Sequence, residues 1–278
     1  MGIWKAEDSK HISDLNLCYI KIYKRIDNRY EENEKSNVKL YSAHSGEEEI
    51  METNKIIQGN CLEELKKIPD ESINLILTDP PYNWSHKNKI DRIRMNKKSM
   101  RRRSPVSMDF GEWDYQDQEK MVEFTGKWVK ECLRVLKKNG QFVSWFSKED
   151  ILILKDAIKE NKGYWKCMLI WHKTNPTPNF RKRSFTSSIE SIGYALKEQN
   201  SKFTFNFKTQ KEMHNFLQSG LVQGKERTKH TTQQPLWITK HLIEILSNKG
   251  DIILDCFMGS GTTAVACKQL GRNFIGFE

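Results

Sequence analysis

Two hydrophobic periodicities alternate along residues 55–278, and they predict short strands separated by helices. Apolar runs of strand character lie at 55–59, 73–78, 141–146, 165–171, 188–196, 251–255 and 274–278. Apolar positions spaced three and four apart predict helices at 61–67, 118–136, 148–159, 235–247 and 262–269. Because strand, helix and strand follow closely at 55–78, the pattern indicates an α/β fold with a mostly parallel sheet.

Two segments depart from this alternation. Residues 1–50 are polar; we predict one helix within 14–26 and a flexible linker at 36–49. Residues 197–230 are irregular apart from alternating phenylalanines at 203–207, which predict one aromatic strand. We interpret this second segment as an inserted recognition element rather than a separate domain.

The strand at 73–78 ends in an unusual polar tip, formed by Asp79, Pro80, Pro81 and Tyr82. The two prolines fix φ and remove two N–H donors, so the tip presents carbonyl oxygens, a carboxylate and an aromatic ring to a ligand. An ordinary strand-end turn is the alternative, since Asp-Pro is common in turns. These four residues alone leave both interpretations open.

The strand at 251–255 continues into Gly259, Ser260 and Gly261 and then into a helix. Glycines allow a tight bend and close backbone approach, and a helix N-terminus offers free N–H groups. Glu278 ends the next strand, where an acid would hold ribose hydroxyls. The pattern suits NAD or an adenosyl cofactor alike, and it is not a P-loop because no lysine follows the glycines.

Most of the net charge of +10 lies in one segment, 84–103, where nine lysines and arginines stand against Asp91. A solvated charge run is the common explanation, but a position directly after the polar tip favours a loop that binds a polyanion. A second basic cluster follows at 181–183. The candidate contacts are Lys87, Lys89, Arg92, Arg94, Lys97, Lys98, Arg101, Arg102, Arg103, Arg181, Lys182 and Arg183.

Composition excludes several classes of protein. With 37% hydrophobic residues and no apolar run near the length of a membrane span, no membrane contact is expected. The N-terminal residues lack the apolar core of a signal peptide, so we expect a cytoplasmic protein. The six cysteines show neither C-x-x-C pairs nor zinc spacing, which predicts reduced thiols and no metal site.

Taken together, the two motifs resemble the β-class, amino-methylating DNA methyltransferases of the N6/N4 family, in which the target-amine motif precedes the S-adenosylmethionine motif. The resemblance rests on 79–82 and on 255–263, with supporting similarity at 59–61, 110–114, 171–179 and 230–235. It implies a doubly wound, mostly parallel Rossmann-like sheet with helices on both faces. The implied parts are a tail, helix and linker (1–50), a catalytic part (51–196) with a basic loop at 84–108, a target-recognition insert (197–230) and an S-adenosylmethionine-binding part (231–278).

The resemblance also implies the chemistry. Asp79 and the Pro80 carbonyl would accept the two hydrogens of adenine N6, and Tyr82 would stack on the flipped base of double-stranded DNA. Cytosine N4 is the nearest alternative target, and a non-catalytic DNA-binding subunit is the alternative class. A homodimer and a restriction endonuclease partner stay open. The cofactor pocket would comprise Asn60, Cys61, Gln234, Pro235, Asp255, Phe257, Gly259, Ser260, Gly261, Thr262 and Glu278.

Three features depart from the family pattern. Asn60 stands where an acid is usual, and Thr231 and Gln234 replace the proline and lysine of the usual H-P-T-Q-K-P segment. The sequence also ends at Glu278, before the helix that the family places next. Because residues 17–26 resemble that helix, we expect the N-terminal helix to fill its place on the sheet.

Overall fold

The computed structural model describes residues 37–41, 48–81, 118–180, 182–228, 230 and 232–278, and for 37–41, 48–50 and 225 the backbone alone. The strands are β1 (Asn37–Tyr41), β2 (Glu48–Glu52), β3 (Lys55–Ile57), β4 (Ile73–Thr78), β5 (Leu136–Phe146), β6 (Tyr164–Lys173), β7 (Ile189–Leu196), β8 (Phe216–Ser219), β9 (Ile252–Asp255) and β10 (Asn273–Phe277). The helices are α1 (Cys61–Lys66), α2 (Gln118–Val135), α3 (Ile151–Glu160), α4 (Leu236–Leu246) and α5 (Thr262–Leu270), with a 3-10 turn at Gly224–Glu226.

Eight strands form one sheet in the order β3-β10-β9-β4-β5-β7-β6-β8. All neighbouring pairs are parallel except those of β7, which runs antiparallel to β5 and β6. The predicted mostly parallel α/β sheet is therefore confirmed. Because β3, β10, β9, β4 and β5 run in one direction, their carboxyl ends meet at one edge, where such sheets bind ligands.

Helices cover both faces of this sheet. On one face α1, α2 and α3 bury Leu65, Trp128 and Leu154, and on the other α4 and α5 bury residues such as Leu242 and Ala266. β4 supplies both cores, because Ile76 faces the first group of helices and Leu75 and Leu77 face the second. A strand buried on both sides needs a continuous apolar run, which explains why 73–78 shows no polar alternation.

The predicted linker at 36–49 is wrong, because β1 and β2 pair there as an antiparallel hairpin. The predicted aromatic strand at 203–207 is also wrong. Its backbone instead meets the end of α4: the Asn206 N–H donates to Ile245 O, and the Asn206 side-chain amide donates to Glu244 O and Ser247 O at 2.8 and 2.9 Å. Residues 203–207 therefore cap the carboxyl end of α4, and the strand observed within 197–230 is β8.

α2 ends at Val135, earlier than the predicted stop at Asn139-Gly140, and β5 begins at once. The reason is pairing: Leu136 already lies opposite Ile73 of β4, with a shift of register before Leu75. Asn139 and Gly140 therefore lie in the irregular start of the strand. The predicted helix at 14–26 and the basic loop at 84–108 lie outside the described residues.

Candidate active site at the carboxyl edge of the sheet

The two sequence motifs meet because β4 and β9 are neighbouring parallel strands, with Leu75 opposite Ile253. Asp79 directly follows β4, and the glycine-containing loop at 256–261 directly follows β9. The Thr78 hydroxyl ties the two strand ends together. It donates to Asp255 Oδ1 at 2.8 Å and accepts from the Cys256 N–H at 3.1 Å.

Asp255 lies beneath the loop rather than on its surface. Its side chain is buried, and its carboxylate accepts hydrogen bonds from the hydroxyls of Thr78 and Thr263 and from the Phe257 N–H. Burial raises the pKa of Asp255 to about 6; the three hydrogen bonds oppose that rise and the nearby Glu278 charge adds to it. Since both oxygens already have protein donors, Asp255 fixes the shape of the loop, whereas the sequence had placed it among the cofactor contacts.

The loop bends through two glycines in left-handed conformations, Gly259 with φ 51° and Gly261 with φ 78°. Residues with a side chain rarely adopt these values, so glycine is favoured at both positions. Gly261 is also the N-cap of α5, and it has no side chain to accept from the N–H groups of the first turn. Ser260 and Thr262 hydrogen-bond to each other at 2.8 Å beside this helix end. The loop therefore offers backbone donors to a ligand with negative groups.

Glu278 and Asn60 complete the edge on the side of β10 and β3. The Glu278 carboxylate accepts the Gly259 N–H at 2.7 Å, so the predicted ribose-binding acid lies against the loop. Asn60 caps α1, its Oδ1 accepting the Leu62 N–H at 2.9 Å. Cys61 is buried, and burial raises the pKa of its thiol to about 12. The thiol is therefore neutral at neutral pH, and its contact with the cofactor stays a prediction.

Gln234 links the two motifs, which the sequence did not predict. Its side-chain Nε2 donates to Asp79 Oδ2 at 2.8 Å and lies 3.4 Å from Glu190 Oε2. Its backbone carbonyl accepts from the Thr262 hydroxyl at 3.5 Å, on the cofactor-loop side. The sequence had assigned Gln234 to the cofactor pocket, but its side chain reaches the target-amine motif.

Glu190 and Lys173 extend this chain of polar groups from the roots of β7 and β6. The Lys173 ammonium forms an ion pair with Glu190, and it lies 5.2 Å from the centre of the Trp171 ring. Sequence reasoning missed Glu190 as a site residue. The only signal was indirect, since Lys173 belongs to the family-like segment 171–179. The neighbouring ion pair limits the negative charge that surrounds Asp79.

The remaining predicted residues occupy different places. Pro80 is buried, Pro81 is half-buried and Pro235 is buried at the start of α4. The His230 ring lies beside Gly259, 3.4 Å from where a side chain at that position would begin. Lys182 and Arg183 are exposed in the connection between β6 and β7. Outside the described residues lie Tyr82, Arg181, Thr231 and the nine basic residues between 87 and 103.

The described residues contain neither a candidate metal centre nor a candidate membrane span. No group of His, Cys, Asp and Glu side chains there could hold a metal ion. No helix in that part of the chain combines the length and apolar character needed to cross a membrane.

Comparison with known proteins identifies the family. The pattern of the N6/N4 methyltransferase family, described as DNA methylase, matches residues 73–278. The chain is 37% identical over 240 residues to the type II methyltransferase M.HinfI of Haemophilus influenzae, covering 81% of this chain and 64% of that protein. It is 34% identical over 232 residues to the type II methyltransferase M2.MboI of Moraxella bovis, covering 80% and 82%.

A solved structure shares the fold. The crystal structure of the M1.HpyAVI–SAM complex superimposes with a TM-score of 0.60 at 30% sequence identity, covering 81% of this chain and 92% of that one. On the matched pattern, the relatives and this fold, the chain belongs to the DNA methylase family of N6/N4 methyltransferases.

Proposed function

We propose that the protein transfers a methyl group from S-adenosylmethionine to the exocyclic N6 amine of adenine in a specific sequence of double-stranded DNA, in the bacterial cytoplasm. The observation that carries the proposal is the joining of the 79–81 tip to the loop at 256–261, through the Thr78–Asp255 and Gln234–Asp79 hydrogen bonds. The matched relatives are called type II methyltransferases, and one related structure is a complex with SAM. Those names support the reaction class and the cofactor.

The loop fits S-adenosylmethionine on chemical grounds. Left-handed Gly259 and Gly261 keep the backbone open to a ligand, and α5 begins without a side-chain cap, which suits a carboxylate. Glu278 supplies a carboxylate at the tip of β10, next to Gly259, which suits ribose hydroxyls. When bound, S-adenosylmethionine supplies an electrophilic methyl sulfonium.

The protein's part in the chemistry falls to the β4 tip. Adenine N6 is a poor nucleophile because its lone pair is delocalised into the ring. If the Asp79 carboxylate and the Pro80 carbonyl accept its two hydrogens, the nitrogen becomes more tetrahedral and its lone pair becomes available to the methyl group. With S-adenosylmethionine bound, the N–CH₃ bond would form as the S–CH₃ bond breaks, and Asp79 would accept the proton that the methylated nitrogen releases.

The hydrogen bond from Gln234 orients the carboxylate of Asp79 as an acceptor. An amide between two carboxylates must present its NH₂ group to them, so the hydrogen bond at 2.8 Å fixes the orientation of Asp79 Oδ2. Gln234 adds no charge beside Asp79, and its hydrogen bond takes up one acceptor position on Oδ2. Basic residues at 87–103 and 181–183 are proposed to bind DNA phosphates. A homodimer and a restriction endonuclease partner stay predictions of the resemblance.

The test is methyl transfer from tritiated S-adenosylmethionine to duplex DNA, followed by modification-aware sequencing of DNA from cells that express the protein. We expect N6-methyladenine in one sequence context, and its loss in Asp79→Ala while S-adenosylmethionine still binds. Methylation at cytosine N4 would replace the adenine assignment. Tight DNA binding without transfer to any duplex would favour a non-catalytic subunit.

A further inference from the structure

The connection between β6 and β7 holds two phenylalanine side chains in solvent: Phe180 is 82% exposed and Phe185 is 102% exposed. The next most exposed large apolar side chain in the described part of the chain, Leu152, is 64% exposed. Single exposed apolar groups are common, but two aromatic rings in one short turn indicate a binding surface.

This turn has a defined shape. The Asn179 side-chain amide donates to the Ser184 carbonyl and hydroxyl at 2.7 and 2.6 Å, and the Lys182 N–H returns to Asn179 O at 3.2 Å. Lys182 adopts a left-handed φ of 53° at the apex. The clasp from 179 to 184 therefore sets Phe180 at one end of the turn and Phe185 at the other. Exposed cations at 182 and 183 lie between the two phenylalanines along the sequence.

The turn projects from the edge that carries the candidate active site. β6 runs parallel to β5 and β4, because both β6 and β5 are antiparallel to β7. The connection therefore leaves β6 at the edge where Asp79 follows β4. Its roots are Lys173 and Glu190, the ion pair that contacts Gln234 and through it Asp79. A ligand whose reacting group reaches Asp79 can thus meet this turn as well.

We propose that Phe180 and Phe185 enter the DNA helix beside the target base and stabilise the gap that base flipping leaves. The inference rests on the proposed function and identifies a part of the protein that would open the duplex. DNA is the occupant that matches the chemistry, because base pairs offer flat apolar faces to both rings and phosphates offer partners to the cations between them. A protein partner would call for a continuous apolar patch, whereas here two exposed cations, Lys182 and Arg183, separate the phenylalanines along the chain.

The experiment compares two duplexes that contain the recognition sequence. One is fully paired, and in the other the target base faces an abasic position, so that flipping no longer breaks a base pair. Phe180→Ala, Phe185→Ala and the double variant are measured against Leu152→Ala, which truncates a 64% exposed apolar side chain on α3. Readouts are the dissociation constant for each duplex and the fluorescence of 2-aminopurine at the target position.

We expect the double variant to bind the paired duplex at least tenfold more weakly, to bind the abasic duplex within threefold of the parent, and to lose the 2-aminopurine signal. Leu152→Ala should change none of these. Equal weakening on both duplexes, or no difference from Leu152→Ala, would overturn the proposal. Binding and fluorescence need no methyl transfer. A parent protein that shows the expected binding and fluorescence but transfers no methyl group to DNA would therefore contradict the proposed function and leave this inference standing.

Discussion

Asp255→Asn should remove a pH-dependent contribution from the stability of the protein. In the parent, Asp255 is fully buried and accepts from Thr78, Thr263 and the Phe257 N–H. Asparagine can keep most of this network: its Oδ1 can accept from Thr78 and Phe257, and its NH₂ can donate to the Thr263 hydroxyl. The substitution therefore removes a charge with little change of shape.

The sign follows from the pKa of Asp255, which burial raises from an ordinary 3.8 to about 6. The folded protein then holds this proton more tightly than the unfolded chain does. The resulting stabilisation is fully present below pH 3.8 and is lost as the pH rises through about 6. A shift of this size lowers the free energy of unfolding by roughly 2 kcal/mol between pH 4 and pH 7. Relative to the parent, the free energy of unfolding of Asp255→Asn should rise by about that much over the same interval.

Urea unfolding at half-unit steps from pH 4 to pH 8 measures the difference between the two proteins. Asp156→Asn, at an exposed position on α3, is the matched control and should show no such trend. Because titrating groups that do not interact with Asp255 affect parent and variant alike, the difference reports Asp255 together with its coupling to Glu278. A difference that stays constant with pH, or that changes in the opposite direction, would refute the assignment of Asp255 as a buried carboxylate with a raised pKa.

Three further changes test the site itself. Gln234→Glu adds a third carboxylate to those of Asp79 and Glu190. It should lower the rate of methyl transfer at least about tenfold, because like charges repel and a hydrogen-bond donor is lost. Gln234→Lys keeps a donor and should retain more activity. Gly259→Ala forces an alanine into φ 51° beside His230 and should weaken S-adenosylmethionine binding about five- to tenfold by calorimetry, at a strain of about 1–2 kcal/mol. Glu278→Gln keeps an acceptor for the Gly259 N–H and should change that affinity less than Glu278→Leu does; equal losses would mean that this hydrogen bond does not matter.

The sequence was informative where structure depends on neighbouring residues. The buried run at 73–78, the glycines at 259 and 261 and the spacing of helices and strands are local features, and they were enough to predict the parallel sheet and both strand tips. The alternating phenylalanines at 203–207 misled, because Asn206 satisfies carbonyls at the end of α4, about 40 residues away. The carbonyls at the end of α4 need hydrogen-bond donors, but the local pattern of residues 203–207 does not show that this segment supplies them.

The Gln234–Asp79 hydrogen bond shows the same limit inside the candidate site. The two residues are 155 positions apart, and only the order of strands brings them to 2.8 Å. The motif comparison treated Gln234 as a departure from a family pattern, with no indication of its partner. Likewise, the pairing of Glu190 with Lys173 depends on β7 running antiparallel to β6, which the sequence did not predict.

The hydrogen bonds of Gln234 affect how the methyl donor and the target amine are positioned relative to each other. Methyl transfer depends on placing donor and acceptor within about an ångström of the productive geometry. Here the amine-binding tip and the cofactor loop are tied three times within the protein: by β4–β9 pairing, by Thr78 on Asp255 and by Gln234. These ties need neither ligand, so the relative position of the two sites is set by the fold. Residues outside both motifs, Gln234 and Thr78 above all, should therefore influence the rate as strongly as several residues within them.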